Sequence, residues 1–214
     1  MHGLFRRFLP ALFALGLTCS GQQWEIGGAA GYGIYRNLTV TSGALSGKAG
    51  FKHGLSFSAV AGHHPYKRLS GEIRYTFRDS DIKITSGSIK PPGFRGDAHA
   101  LHYDALLHAA SKNSRIRPFL AFGGGMKMFR GNEPERASQP LSQLAGFREI
   151  TEIKPMLSVG GGAVASFGPH LRFRLDARDY ITPFPNQLIE PNPRAKLNGA
   201  LHDLVVLIGV SGVF

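Results

Sequence analysis

The chain has 214 residues, 43% of them hydrophobic and 18% charged, with a formal net charge of +11. That length suits one domain with a sizeable core, and that balance excludes an intrinsically disordered chain. No run of about 18 apolar residues follows the N-terminus, which excludes a helical membrane protein.

Arg6 and Arg7, the apolar stretch Leu9–Leu17, and then Cys19-Ser20-Gly21 have the three parts of a secretory signal. Residues 1–21 are therefore expected to direct export, and residues 22–214 to form one β-barrel domain. Lipidation at Cys19 is the poorer reading, because Gly16-Leu17-Thr18 lacks the small residue expected just before a lipidated cysteine. Cys19 is the only cysteine, so the exported chain has no disulfide, thiol nucleophile or cysteine metal site. A basic chain invites a nucleic-acid reading. Export and the even spread of the basic residues argue against it, and outer-membrane lipid head groups are the expected anionic partner.

In chain order, Trp24, Ile26, Gly28, Ala30, Tyr32 and Ile34 alternate with Glu25, Gly27, Ala29, Gly31, Gly33 and Tyr35, the period of a β-strand. Arg36 to Gly47 reads as a polar link. Phe51 to Ala61 predicts a strand with Phe51, Leu55, Phe57, Ala59 and Ala61 outward and Ser56 and Ser58 inward. Gly62 to Lys67 predicts a tight turn. Leu69 to Phe77 sets Leu69, Gly71, Ile73, Tyr75 and Phe77 against Glu72, Arg74, Thr76 and Arg78. Asp79 to Asp97 is a long link, since Pro91-Pro92-Gly93 suits no central strand. His99 to Ala109 places Leu101, Tyr103, Ala105 and Leu107 outward and His102, Asp104 and His108 inward.

Arg115 to Phe129 turns Ile116, Leu120, Phe122, Met126 and Met128 outward and Arg117 and Lys127 inward. Arg130 to Ile153 is the longest link, with a short helix expected over Leu141 to Phe147. Met156 to Phe167 is the next strand, and Gly168-Pro169 turns into the most telling stretch, Leu171 to Tyr180. There Leu171, Phe173, Leu175 and Ala177 alternate with Arg172, Arg174, Asp176 and Arg178. The four prolines between Ile181 and Gly199 mark a loop, and Leu204, Val206, Ile208, Val210 and Phe214 line one face of the closing strand.

About eight strands result, each near the 9 to 11 residues a tilted strand needs to cross a bilayer. Long and short links alternate, as in an up-and-down barrel with short periplasmic turns and long outer loops. The expected fold is all-β, an eight-stranded antiparallel up-and-down transmembrane β-barrel after a signal peptide. A soluble lipocalin is also an exported barrel, but its interior must be apolar. Here the face opposite the bulky residues carries Glu72, Arg74, Arg78, His102, Asp104, Arg117, Lys127, Arg172, Arg174, Asp176 and Arg178. Unpaired in a dry interior these charges would be costly; paired across a lumen they satisfy one another. The opposite face would aggregate in water and suits hydrocarbon. Trp24, Tyr35, Tyr66, Tyr180 and Phe214 fall near strand ends and are expected in interfacial aromatic girdles.

The signal, the Trp24 strand, LRFRLDARDY (Leu171 to Tyr180) and a closing strand ending in Phe214 resemble the OmpA-like small outer-membrane β-barrel proteins over nearly the whole exported chain. The resemblance implies that Phe214 belongs to a C-terminal signal read by the barrel-assembly machinery. A separate peptidoglycan-anchoring domain is not expected. The fold hosts adhesins, structural anchors and lipid-modifying enzymes alike.

Gly43 to Lys48 resembles a phosphate loop but is one residue short, with Ala49 where Ser or Thr is needed. His63-His64 has no third ligand at a fixed spacing and reads as a solvated pair, so no metal and no cofactor are expected. His102, Asp104, His108 and Ser111 could make a hydrolytic set, but Ser111 lies on the other parity and a buried polar network fits better. The expectation is a non-enzymatic structural or surface-interaction barrel with a plugged polar lumen. A small or gated channel and a lipid- or peptide-hydrolysing barrel are the alternatives. Its partners would be outer-membrane lipids including lipopolysaccharide, the barrel-assembly machinery and a surface ligand the residues do not specify.

Overall fold

The computed structural model describes residues 23–133, 139, 141–197 and 199–214. The expected export signal, with Cys19, lies outside the described residues. In chain order the strands are β1 (Gln23–Arg36), β2 (Leu38–Ser42), β3 (Leu45–Phe51), β4 (Gly54–His64), β5 (Leu69–Asp79), β6 (Ile82–Thr85) and β7 (Gly96–His108). They continue as β8 (Ile116–Gly131), β9 (Ala145–Phe147), β10 (Thr151–Phe167), β11 (Leu171–Pro183), β12 (Ile189–Pro191), β13 (Lys196–Leu197) and β14 (Ala200–Val213).

β1, β4, β5, β7, β8, β10, β11 and β14 form a closed antiparallel barrel. Each pairs with the barrel strand next to it in the chain, and β14 returns to β1, so no edge is left exposed. The seam is tied at one end by Trp24 N–H to the Phe214 carbonyl (3.1 Å) and Phe214 N–H to the Trp24 carbonyl (2.9 Å). Short turns of residues 65–68, 109–115 and 168–170 join strands at that end, and the longer links gather at the other.

Sidedness follows the alternation. On β11 Leu171, Phe173 and Leu175 stand exposed on the outer wall, and Arg172, Arg174 and Asp176 are buried within. The same wall carries Ile26, Phe57, Ile73, Leu101, Leu120, Phe122, Met126 and Ile208, all exposed. An apolar belt of this extent is stable only against hydrocarbon, and a barrel crossing hydrocarbon must satisfy its backbone by closure.

The stretches read as long links carry strands of their own. β13, β2, β3 and β6 form a four-stranded sheet, and β12 pairs with β9. Together they build an apolar cap over the long-loop end, in which Val40, Phe51, Ile82, Phe94, Phe129, Leu144, Leu188 and Leu201 cluster in one core. Phe51, expected on the outer wall, ends β3 instead and stacks on Phe129 at 5.1 Å. The shift arises because β4 begins only at Gly54, which frees Phe51 to bury itself away from lipid. The helix expected over Leu141 to Phe147 is a turn leading into β9. Its backbone is held by Gln139, which accepts from Phe147 N–H (2.6 Å) and donates to the Phe147 carbonyl (2.8 Å). Glu152 anchors the last long link by accepting from the N–H groups of Gln187 and Leu188, both at 2.9 Å.

Candidate functional site

Inward positions of adjacent strands meet across a narrow lumen, because an eight-stranded barrel is just wide enough for side chains to fill. Glu72, Arg74, Arg78, His102, Asp104, Arg117, Lys127, Arg172, Arg174, Asp176 and Arg178 all lie buried there. They sort into three layers along the axis.

The middle layer sets three guanidinium groups against three carboxylates. Arg74 reaches Glu72 (2.9 Å) and Asp176 (2.7 Å), and Arg174 reaches Glu72 (2.7 Å). Arg178 pairs with Glu72 (2.9 Å) and with Asp104. Asp104 also accepts from Ser158 Oγ (3.2 Å) and bonds His102 Nδ1 (3.0 Å). His102 Nε2 meets the Tyr180 hydroxyl (3.3 Å), which meets Thr76 Oγ1 (3.3 Å). Burying charge is tolerable here because each carboxylate is shared among several donors rather than left to one.

Toward the cap, Arg78 and Lys127 both pair with Asp203. The Tyr35 ring lies 4.0 Å from the Arg78 guanidinium and 4.8 Å from Lys127 Nζ, a cation–π floor beneath the apolar cap. Toward the short turns, Glu25 accepts from Arg172 (2.8 Å) and Ser211 Oγ (2.6 Å) and bonds His64 Nε2 (2.8 Å). Arg117 stands outside this pairing: its Nε and one terminal nitrogen are buried with no hydrogen-bond partner.

Two of the expected girdle residues are corrected. Tyr35 and Tyr180 are buried inside the barrel rather than set at the lipid interface. Both share parity with the charged residues of their own strands, so period-two alternation turns them inward, where the Tyr180 hydroxyl meets His102 and Thr76 and the Tyr35 ring faces Arg78 and Lys127. Trp24 and Tyr66 are exposed, as is Phe214. His63-His64 is not a solvated pair. Consecutive strand residues face opposite sides, so His64 enters the lumen while His63 sits outside near Trp24, with ring centroids 5.9 Å apart. That divergence also prevents the two imidazoles from chelating one ion.

The hydrolytic set is not assembled. Both ring nitrogens of His102 are engaged in the lattice, and Ser111 lies in the exposed 109–115 turn. His108 instead bonds Ser70 Oγ (2.8 Å), but its Nδ1 has no partner, so no acid orients this pair. The residues that sequence reasoning missed are Glu25, His64, Ser70, Ser158 and Asp203. Parity alone would have found Glu25, opposite Trp24 and Ile26, and Asp203, beside Leu204.

A closed eight-stranded barrel with an apolar wall and an ionic lumen defines the class: this is a transmembrane β-barrel with the fold of small outer-membrane proteins. It resembles solved members of that class in fold. The outer membrane protein OprG from Pseudomonas aeruginosa aligns with a TM-score of 0.56 at 15% identity, covering 91% of this chain and 96% of that one. Neisserial surface protein A aligns with a TM-score of 0.53 at 14% identity, covering 90% and 97%. A major outer membrane protein from Thermus thermophilus gives 0.53 at 13%, covering 90% and 99%. No family model and no curated relative matches the chain.

Proposed function

We propose that this protein is a non-enzymatic outer-membrane barrel with a closed lumen, whose structured cap is the surface it presents for structural or binding roles. The observation that carries the reading is the middle layer: Arg74, Asp104 and Arg178 have 0% exposure and Asp176 has 1%. Solvent of water size finds no room beside them, and the apolar cap lies over the outer end. On this reading the partners are outer-membrane lipids, lipopolysaccharide included, along the wall, a ligand of the cap, and the barrel-assembly machinery, which would read Phe214.

Single-protein conductance in planar bilayers tests the closed lumen. Silence at neutral pH is expected. Steady openings would replace this reading with a small channel, whereas lipid or peptide hydrolysis lost in His102→Ala or His108→Ala would replace it with an enzyme.

A further inference from the structure

We propose that the short-turn mouth of the barrel binds a phosphate-type oxyanion between the 109–115 and 168–170 turns, independently of whether the lumen conducts. A cleft of about 450 Å³ opens there, lined by Lys112, Asn113, Ser114, Arg115, Ser166 and Arg172 with the 168–169 backbone. Three cationic residues, two hydroxyl residues and one amide residue line it, with Arg172 also holding Glu25 (2.8 Å) and the Arg115 guanidinium 5.6 Å from the Phe167 ring. That is a donor set for an ion with several acceptor oxygens rather than for an apolar ligand.

The charge balance of the neighbouring lumen layer points the same way. In the middle layer three guanidiniums meet three carboxylates, and each cation is paired. At the mouth Glu25 is already engaged by Arg172, His64 and Ser211. Arg117 is 1% exposed, with Nε and a terminal nitrogen lacking any partner. Such a buried, unsatisfied cation is costly and rare in native structures. Lys112 spends one proton on the His64 carbonyl (2.5 Å). Burial, and then the positive charges of Arg117 and Arg172, hold its ammonium below the ordinary lysine pKa. An oxyanion in the cleft would give Lys112 a counter-charge, while Arg117, which does not line the cleft, would add only its longer-range positive field. Short turns of such barrels face the periplasm, so the ligand is either free phosphate or the phosphate of an inner-leaflet lipid head group.

Thermal unfolding of the full protein in uncharged detergent, followed by Trp24 fluorescence, separates the possibilities. The probes are sodium phosphate, sodium chloride at matched ionic strength, and micelles doped with phosphatidylglycerol. A midpoint raised by phosphate beyond chloride assigns the free ion. A rise with phosphatidylglycerol alone assigns the lipid head group. Either effect should weaken in Arg117→Gln, which removes a positive charge beside the cleft, and require about tenfold more ligand in Lys112→Ala, the loss of one charge-assisted bond. Lys112 and Arg115 lie in a turn, so Lys112→Ala and Arg115→Ala keep the test open if Arg117→Gln fails to fold. No rise over chloride with either probe, or equal rises in wild type and the turn variants, overturns the proposal.

Discussion

Asp176 illustrates how much one inward residue carries. It binds Arg74 at 2.7 Å and lies 3.7 Å from Arg174 and 3.8 Å from Arg178, all inside the wall. Removing one partner of a buried pair leaves the other charges desolvated and uncompensated, at about 3–5 kcal/mol. Asp176→Asn is therefore expected to lower the urea midpoint of the refolded barrel sharply. Lys90→Gln, at an exposed position of the 80–95 link, should leave it within about 0.5 kcal/mol, as surface substitutions usually do. Equal midpoints for the two variants would contradict the inward lattice. The residues legible beforehand were those whose type and parity agreed: Arg172, Arg174 and Asp176 alternate with Leu171, Phe173 and Leu175, leaving no ambiguity. Tyr35 and Tyr180 were misplaced because a tyrosine suits a lipid interface and a polar interior equally, and only the partners choose.

Among the strands, β10 shows how small residues admit large ones. Gly160 and Gly162 face inward in register with Arg178 and Asp176 of β11. A Cβ at Gly160 would stand 2.7 Å from Arg178 Cδ, and one at Gly162 equally close to Asp176 Cβ. Both glycines clear the lumen for the middle layer. The cap is the second element-scale feature. Phe51 packs between Tyr35 (4.9 Å) and Phe129 (5.1 Å), joining a link to barrel strands β1 and β8. Phe51→Ala should cost the cap about 3–5 kcal/mol. Limited proteolysis would then cut within residues 37–53 or 80–95 while the barrel keeps its heat-modifiable migration. Loss of both together would mean that cap and barrel fold as one unit. These small sheets escaped sequence reading because β2, β6, β12 and β13 hold five or fewer residues each, too short for periodicity to register.

At the scale of the whole molecule, closure links the first and last strands of the barrel. The seam bonds between Trp24 and Phe214 complete the barrel at its short-turn end. Deleting Phe214 removes those two bonds and the exposed terminal ring. The refolded protein in detergent is expected to remain heat-modifiable, since the rest of the β1–β14 register persists. The amount reaching the outer membrane in cells is expected to fall, and unchanged amounts would show that Phe214 serves the seam alone.

Period-two alternation determined the strand count and the two faces, the alternation of long and short links the up-and-down order, and the charges on one face which wall meets lipid, because each side chain on a strand has only two faces to choose between. It could not determine which charges meet, that the long links fold into a cap, or that Arg117 has two buried nitrogens with no hydrogen-bond partner. Those depend on shear, layer height and side-chain reach across the lumen. Such distances exist only once eight strands from opposite ends of the chain have closed into a ring.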